Sequence, residues 1–205
     1  MTQVVEIFYS FQCPYSYLGI DRLSQLEQKF DVRVLWQPFS AKAAGQAGPS
    51  ATYSPERANY IREDVVRLAK RMELPLVMRA DWPEKEPDPE RSTRGAVIAG
   101  DMGLSMEYNI KMFDCWWGTG EDPNDQAFLI QLCDELDVDP GEFLAKLSSH
   151  DTRERVRGLY KRGRKLMVFD TPMIMIGEER YQGIDRIAMA EERLTEMGLK
   201  RSRTV

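Results

Sequence analysis

Cys13-Pro14-Tyr15-Ser16 is the segment of this chain whose residue types and order fit chemistry best. The cysteine follows Val4-Val5-Glu6-Ile7-Phe8-Tyr9, a β-branched and aromatic run that reads as a buried strand. It precedes a proline, favoured at the first position of a helix because its missing N–H would have no partner there. A sulfur at a helix N-terminus faces unpaired amides and the positive end of the helix dipole, both of which favour a thiolate. The expectation is therefore a thiol pKa lowered from about 8.5 toward 7, with the nucleophile populated at neutral pH. Ser16, one turn on, offers a hydroxyl toward that sulfur but no second thiol to resolve a disulfide. Thr171-Pro172 is the second candidate, a proline that leaves the Thr171 backbone groups exposed at a strand start. On the residues alone the bond would be trans, and a cis bond there would be a fixed geometric device.

The elements that must position these residues can be read along the chain. Tyr17, Ile20, Leu23 and Leu26 recur at helical spacing and carry a helix from Pro14 to about Lys29. Val32–Trp36 is a second strand ended by Pro38, so the first forty residues read β-α-β, most simply a parallel pair with a crossover helix. Ser54-Pro55 opens a helix with Ile61, Val65, Leu68, Ala69 and Met72 on one face. The proline-rich, charged piece from Arg79 to Glu90 reads as a loop, followed by helices at Arg91–Gly100, Ser105–Trp117 and Asp125–Asp137. Asp139-Pro140-Gly141-Glu142 has the pattern of a capped helix start, and a further helix runs from about Thr152 to Lys165. Met173–Ile176 and Arg180–Gln182 form a hairpin about a tight turn, and a last helix begins at Ile184. The fold class is thus α/β, a β-α-β unit and an α-β-β-α unit interrupted by helices. Residues 1–40 and 152–205 make one discontinuous domain and 54–150 an all-helical insertion.

Order and spacing together resemble the thioredoxin superfamily in its DsbA-like form, and within it the branch of 2-hydroxychromene-2-carboxylate isomerase and kappa-class glutathione transferase. The resemblance rests on Cys13 to Gly19, Trp36-Gln37-Pro38-Phe39, Tyr60 to Ala69 with Asp64 and Arg67, Thr171-Pro172, and Tyr181 to Arg186, and it covers nearly the whole chain. It implies a thioredoxin-like fold, a cis Pro172, and glutathione as cofactor, held by Thr171 and Pro172. The Thr171 backbone would pair with the cysteinyl part, and Asp185 would take the γ-glutamyl ammonium. An aromatic pocket including Trp116 or Trp117 would hold a small aromatic or anionic substrate, and the protein would be a homodimer. Three departures stand out. The residue at position 13 is a serine in the isomerase and the transferase, where it activates the glutathione sulfur by hydrogen bonding. In DsbA-like oxidoreductases position 16 carries a second cysteine, here Ser16. Asp170 stands where a glycine is expected.

Composition removes other classes. With 42% hydrophobic and 30% charged residues the chain is globular, and no stretch approaches the roughly 20 apolar residues of a membrane span. The start of the chain carries neither a basic region nor a cleavage site for export, and three well-separated cysteines make no disulfide framework, so a cytoplasmic location is expected. A net charge of −5 argues against a nucleic-acid binder. Arg153 to Lys165 carries seven basic residues and one acidic, a solvated face or a positive wall for an anionic substrate. The single histidine, His150, sits in an expected loop and excludes a zinc site built on two histidines. Cys115 and Cys133 read as core packing. Two enzymes and one non-enzyme remain open: a glutathione-dependent isomerase or transferase, a thiol-disulfide oxidoreductase working through Cys13 alone, and a binding protein that has lost the chemistry.

Overall fold

The computed structural model describes residues 2–40, 54–79, 82 and 89–201. Strand β1 (Gln3–Tyr9) is followed by α1 (Pro14–Ser24), which stops short of the expected end at Lys29. Gln25 turns its N–H to the Arg22 and Leu23 carbonyls, and a one-turn helix α2 (Leu26–Lys29) resumes beyond it. Strand β2 (Val32–Pro38) closes the β-α-β unit and pairs parallel with β1, Val5 opposite Val34 and Ile7 opposite Trp36.

Six helices of this description follow before the chain returns to the sheet. They are α3 (Pro55–Arg71), α4 (Pro89–Asp101), α5 (Ser105–Phe113), α6 (Gln126–Glu135), α7 (Pro140–Ser148) and α8 (His150–Lys165). Side chains at Ser54, Asp125, Asp139 and Ser149 accept the first free amides of α3, α6, α7 and α8. The Ser149 cap starts α8 ahead of the expected Thr152 and makes His150 its exposed first residue rather than part of a loop. The helix expected to run to Trp117 changes character at Asp114, continuing as a wider π-helical turn over Asp114–Thr119. That turn places Cys115, Trp116 and Trp117 all inside, which three consecutive residues of a regular helix at a surface do not achieve. Most of the proline-rich piece between Arg79 and Glu90 lies outside the described residues, as does much of the Ser40–Pro49 loop.

Strands β3 (Met173–Ile176) and β4 (Glu179–Gln182) form the predicted hairpin, and the last helix α9 (Ile187–Glu196) is entered through a short 3₁₀ turn, Ile184–Arg186. The sheet order is β2-β1-β3-β4, with β3 antiparallel to β1. Alternate side chains of β1 leave on opposite faces. Val5 and Ile7 meet Leu23 and Leu26 from α1 and α2 and Ile187, Ala190 and Leu194 of α9. Phe8 meets Phe39, with Val156 and Tyr160 of α8. The helices from α3 to α7 share one core with Tyr9, Phe11, Tyr17, Leu18 and Ile20, so they are packed directly behind the segment that carries Cys13. No described helix is long and apolar enough to cross a membrane.

Candidate active site

Cys13 is the N-cap residue of α1, with extended backbone angles of φ −94° and ψ 111°, and Pro14 takes the first helical position. Its N–H donates to the Ser10 carbonyl at 3.1 Å, and its own carbonyl accepts from Ser16 N–H at 3.0 Å. The residue is half-buried, whereas Cys115 and Cys133 are fully buried as expected. The Cys13 thiol donates to the Thr171 carbonyl at 3.1 Å, across 158 positions of sequence. The Thr171–Pro172 bond is cis. Four expected site residues therefore meet: Cys13, Ser16, Thr171 and Pro172.

The charge state of the sulfur overturns the expectation from helix position. Burial, then the negative charge of Asp170, push the Cys13 thiol up to about 11, against hydrogen-bond donors from Thr171 and Ser16. The helix dipole acts only over the first turn, while the sulfur points out of that turn at a carbonyl and beside a carboxylate. At neutral pH Cys13 is a thiol that donates a hydrogen bond, not a thiolate. Ser16 is almost wholly buried, and its oxygen accepts from Ser10 N–H at 3.4 Å, which leaves its proton for the sulfur side.

The surrounding residues fix this geometry. Tyr15 donates to Asp64 of α3 at 3.0 Å, and Asp64 is paired with Arg67 at 3.0 Å, so the segment after Cys13 is moored to the inserted helices. Burial and the Asp64 carboxylate hold the Tyr15 phenol well above its ordinary range. Trp117 Nε1 donates to the Phe11 carbonyl at 2.7 Å, and Trp116 Nε1 to Ser92 Oγ at 3.3 Å. Both indoles are only 2% exposed and turned into the core, not toward a substrate pocket as expected; Trp117 braces the loop ahead of Cys13, and Trp116 is tied to α4. Asp185 stands apart, exposed and ion-paired with Arg186. It lies two residues beyond Gly183, whose N–H donates to the Pro172 carbonyl at 2.9 Å, so its turn is tied to the proline loop.

Two further residues bear on the site. Asp170 accepts the Thr171 N–H at 2.8 Å, and burial raises the pKa of that carboxyl against the opposing effects of the Thr171 N–H and of Arg57 in the first turn of α3. Asp170 was visible in sequence only as a departure from an expected glycine. Arg57 carried no signal, because only the fold brings the start of α3 to the proline loop. The basic run 153–165 lies on α8, and three of its seven cations are ion-paired, Arg155 with Asp101, Arg157 with Glu154 and Arg162 with Glu6. Among the described residues no group of three or more histidines, cysteines and acids is placed to hold a metal ion.

A helix-opening cysteine set against a cis-proline, on a four-stranded sheet with helices on both faces, defines a thioredoxin-type protein. The chain belongs to the DsbA-like thioredoxin domain family, whose description matches residues 4–195. It is 27% identical over 192 residues to a 2-hydroxychromene-2-carboxylate isomerase of Pseudomonas sp. (strain C18), covering 92% of this chain and 88% of the relative. A solved 2-hydroxychromene-2-carboxylate isomerase superposes with a TM-score of 0.82 at 25% identity, covering 95% of this chain and 96% of that one. The cytosolic disulfide reductase DsbM of Pseudomonas aeruginosa shares the fold, with a TM-score of 0.65 at 16% identity over 94% of this chain and 99% of its own.

Proposed function

We propose that the protein is a glutathione-dependent isomerase acting on an aromatic or ring-opened aromatic acid, with Cys13 as hydrogen-bond donor to the reacting sulfur. The observation that carries this reading is the half-buried Cys13 thiol donating to the Thr171 carbonyl beside the cis-proline, where burial and Asp170 favour its protonated form. A neutral S–H can do what a serine hydroxyl does, donating to an anion in a partly dry site. The isomerase name of the relatives supplies the reaction class.

The residues present fit a thiol ligand. The Ser16 hydroxyl hydrogen-bonds the Cys13 sulfur, whose own proton would turn from the Thr171 carbonyl to the ligand sulfur, and an anion placed there would meet the open end of α1. Thr171 and Pro172 would hold the ligand backbone, with Asp185 taking its ammonium. When bound, glutathione supplies a thiolate that adds reversibly to an electrophilic carbon, letting a double bond turn as a single one before elimination. The chain's part is to keep that sulfur deprotonated by hydrogen bonding, to orient it, and to limit water. A homodimer belongs to the same reading and is checked by light scattering.

The experiment is isomerisation of 2-hydroxychromene-2-carboxylate with and without glutathione. Cys13→Ser is expected to stay within about tenfold of the wild type, because a donor remains, whereas Cys13→Ala loses about 10²–10³ in rate. A wild type inactive with glutathione present sinks the reading. The second reading is thiol-disulfide exchange through Cys13, favoured by the sulfur's position opening a helix. Turnover of a small disulfide that Cys13→Ser abolishes would establish it instead.

A further inference from the structure

Thr171 carries two backbone groups at the proline loop, and the chain itself occupies both. The carbonyl accepts a hydrogen bond from the Cys13 thiol at 3.1 Å. The N–H goes to Oδ1 of Asp170 at 2.8 Å. The first contact belongs to the reacting sulfur and exchanges with it. The second is an added carboxylate at a position where a residue without a side chain would leave the amide open. Thr171 is itself only 6% exposed, so its N–H has few ways to find another partner.

We propose that Asp170 is the specificity-determining residue of this site: its carboxylate caps the Thr171 N–H, and a thiol ligand with a peptide-like backbone binds only by displacing it. This rests on the glutathione reading above for the identity of that ligand. An N–H bonded to a carboxylate is stronger than the same N–H bonded to the neutral carbonyl of an arriving peptide. The cap therefore weakens binding, and the site favours ligands that bring a donor to Asp170 over those that bring only an acceptor. The charge of Arg57 on α3 favours the ionised form of that carboxyl, against the burial that disfavours it. The same negative charge acts on the Cys13 sulfur, so one side chain tunes both the ligand backbone's partner and the thiol beside it.

The test compares the wild type with Asp170→Ala and Asp170→Asn, using calorimetric titration with S-methylglutathione, whose sulfur cannot ionise. Asp170→Ala opens the amide and is expected to bind about three- to tenfold tighter, the worth of one neutral hydrogen bond. Asp170→Asn keeps a weaker acceptor and falls between the two. Binding to the wild type that Asp170→Ala leaves unchanged or weakens overturns the cap while the glutathione reading stands; no binding to either overturns both. Alkylation of Cys13 by iodoacetamide needs no ligand and serves if the alanine variant fails to fold. Its pH midpoint is expected to fall by about half a unit or more in Asp170→Asn as the neighbouring charge is removed. A midpoint equal to the wild type's overturns the assignment.

Discussion

Cys13 opens a helix whose free amides favour an anion, yet its sulfur is drawn toward a carbonyl and stands near a carboxylate. The sign of the outcome is set by which effect is larger. Burial and Asp170 disfavour the thiolate, while the donors from Thr171 and Ser16 return only part of the difference. Because the folded thiol titrates near 11, the population of thiolate at pH 7 is small and rises with pH through that value. Iodoacetamide alkylation of the native protein, followed by mass spectrometry, is expected to climb steadily from pH 7 to 10. A rate already on a plateau at pH 7 would mean a thiolate and contradict the donor role. The position of the sulfur was legible in the sequence, because Pro14 marks the helix start and the strand before it is plain. Its protonation was not, because it is decided by burial, which only the fold creates, and by Asp170, 157 positions further along the chain.

At the scale of single elements, α8 carries two glycines that answer oppositely to the same substitution. An added Cβ at Gly163 would meet two ring carbons of Phe39 at 2.6 and 2.8 Å, under the second core against β1. Gly163→Ala is expected to lose stability by about 1–2 kcal/mol, overpacking outweighing the gain in helix propensity of up to about 1 kcal/mol. At Gly158 nothing lies within 4 Å, so Gly158→Ala is expected to gain up to about 1 kcal/mol. Urea unfolding of both variants checks the pair, and equal signs would refute the packing argument. Helices announced by a capping side chain or an opening proline, such as those beginning at Pro55 and Pro140, were readable from local residues alone. The break at Gln25 and the wide turn at Asp114 were not. Neither has a breaking residue at its onset, and both follow from what the helix meets in three dimensions.

Across the whole molecule, the helical insertion reads as a separate unit by sequence but shares its core with the end of β1 and one face of α1. Hydrogen bonds join it to the loop and first helix turn of the candidate site, among them Trp117 to the Phe11 carbonyl, Tyr15 to Asp64 and Tyr17 to the Pro75 carbonyl. Trp117→Phe keeps most of the ring volume and leaves a buried carbonyl without its donor, a loss of about 1–3 kcal/mol. The expected companion is faster Cys13 alkylation at fixed pH, because the loop ahead of it is no longer braced. A variant that melts earlier while Cys13 reacts as before would show that the insertion stabilises the fold without holding the site. Alternation and spacing reveal the existence of that insertion, whereas which of its indoles turn inward depends on the π-helical turn.

The middle of the sheet has a consequence for how the chain is made. β1 gains its parallel partner β2 soon after the first helix, but its other edge waits for β3, which begins at Met173. The carbonyl that covers the Cys13 sulfur arrives in the same late stretch. A growing polypeptide therefore leaves the ribosome with an uncovered thiol and an open strand edge, and gains both covers only once the stretch from Thr171 to Ile176 has emerged, more than 150 residues after Cys13.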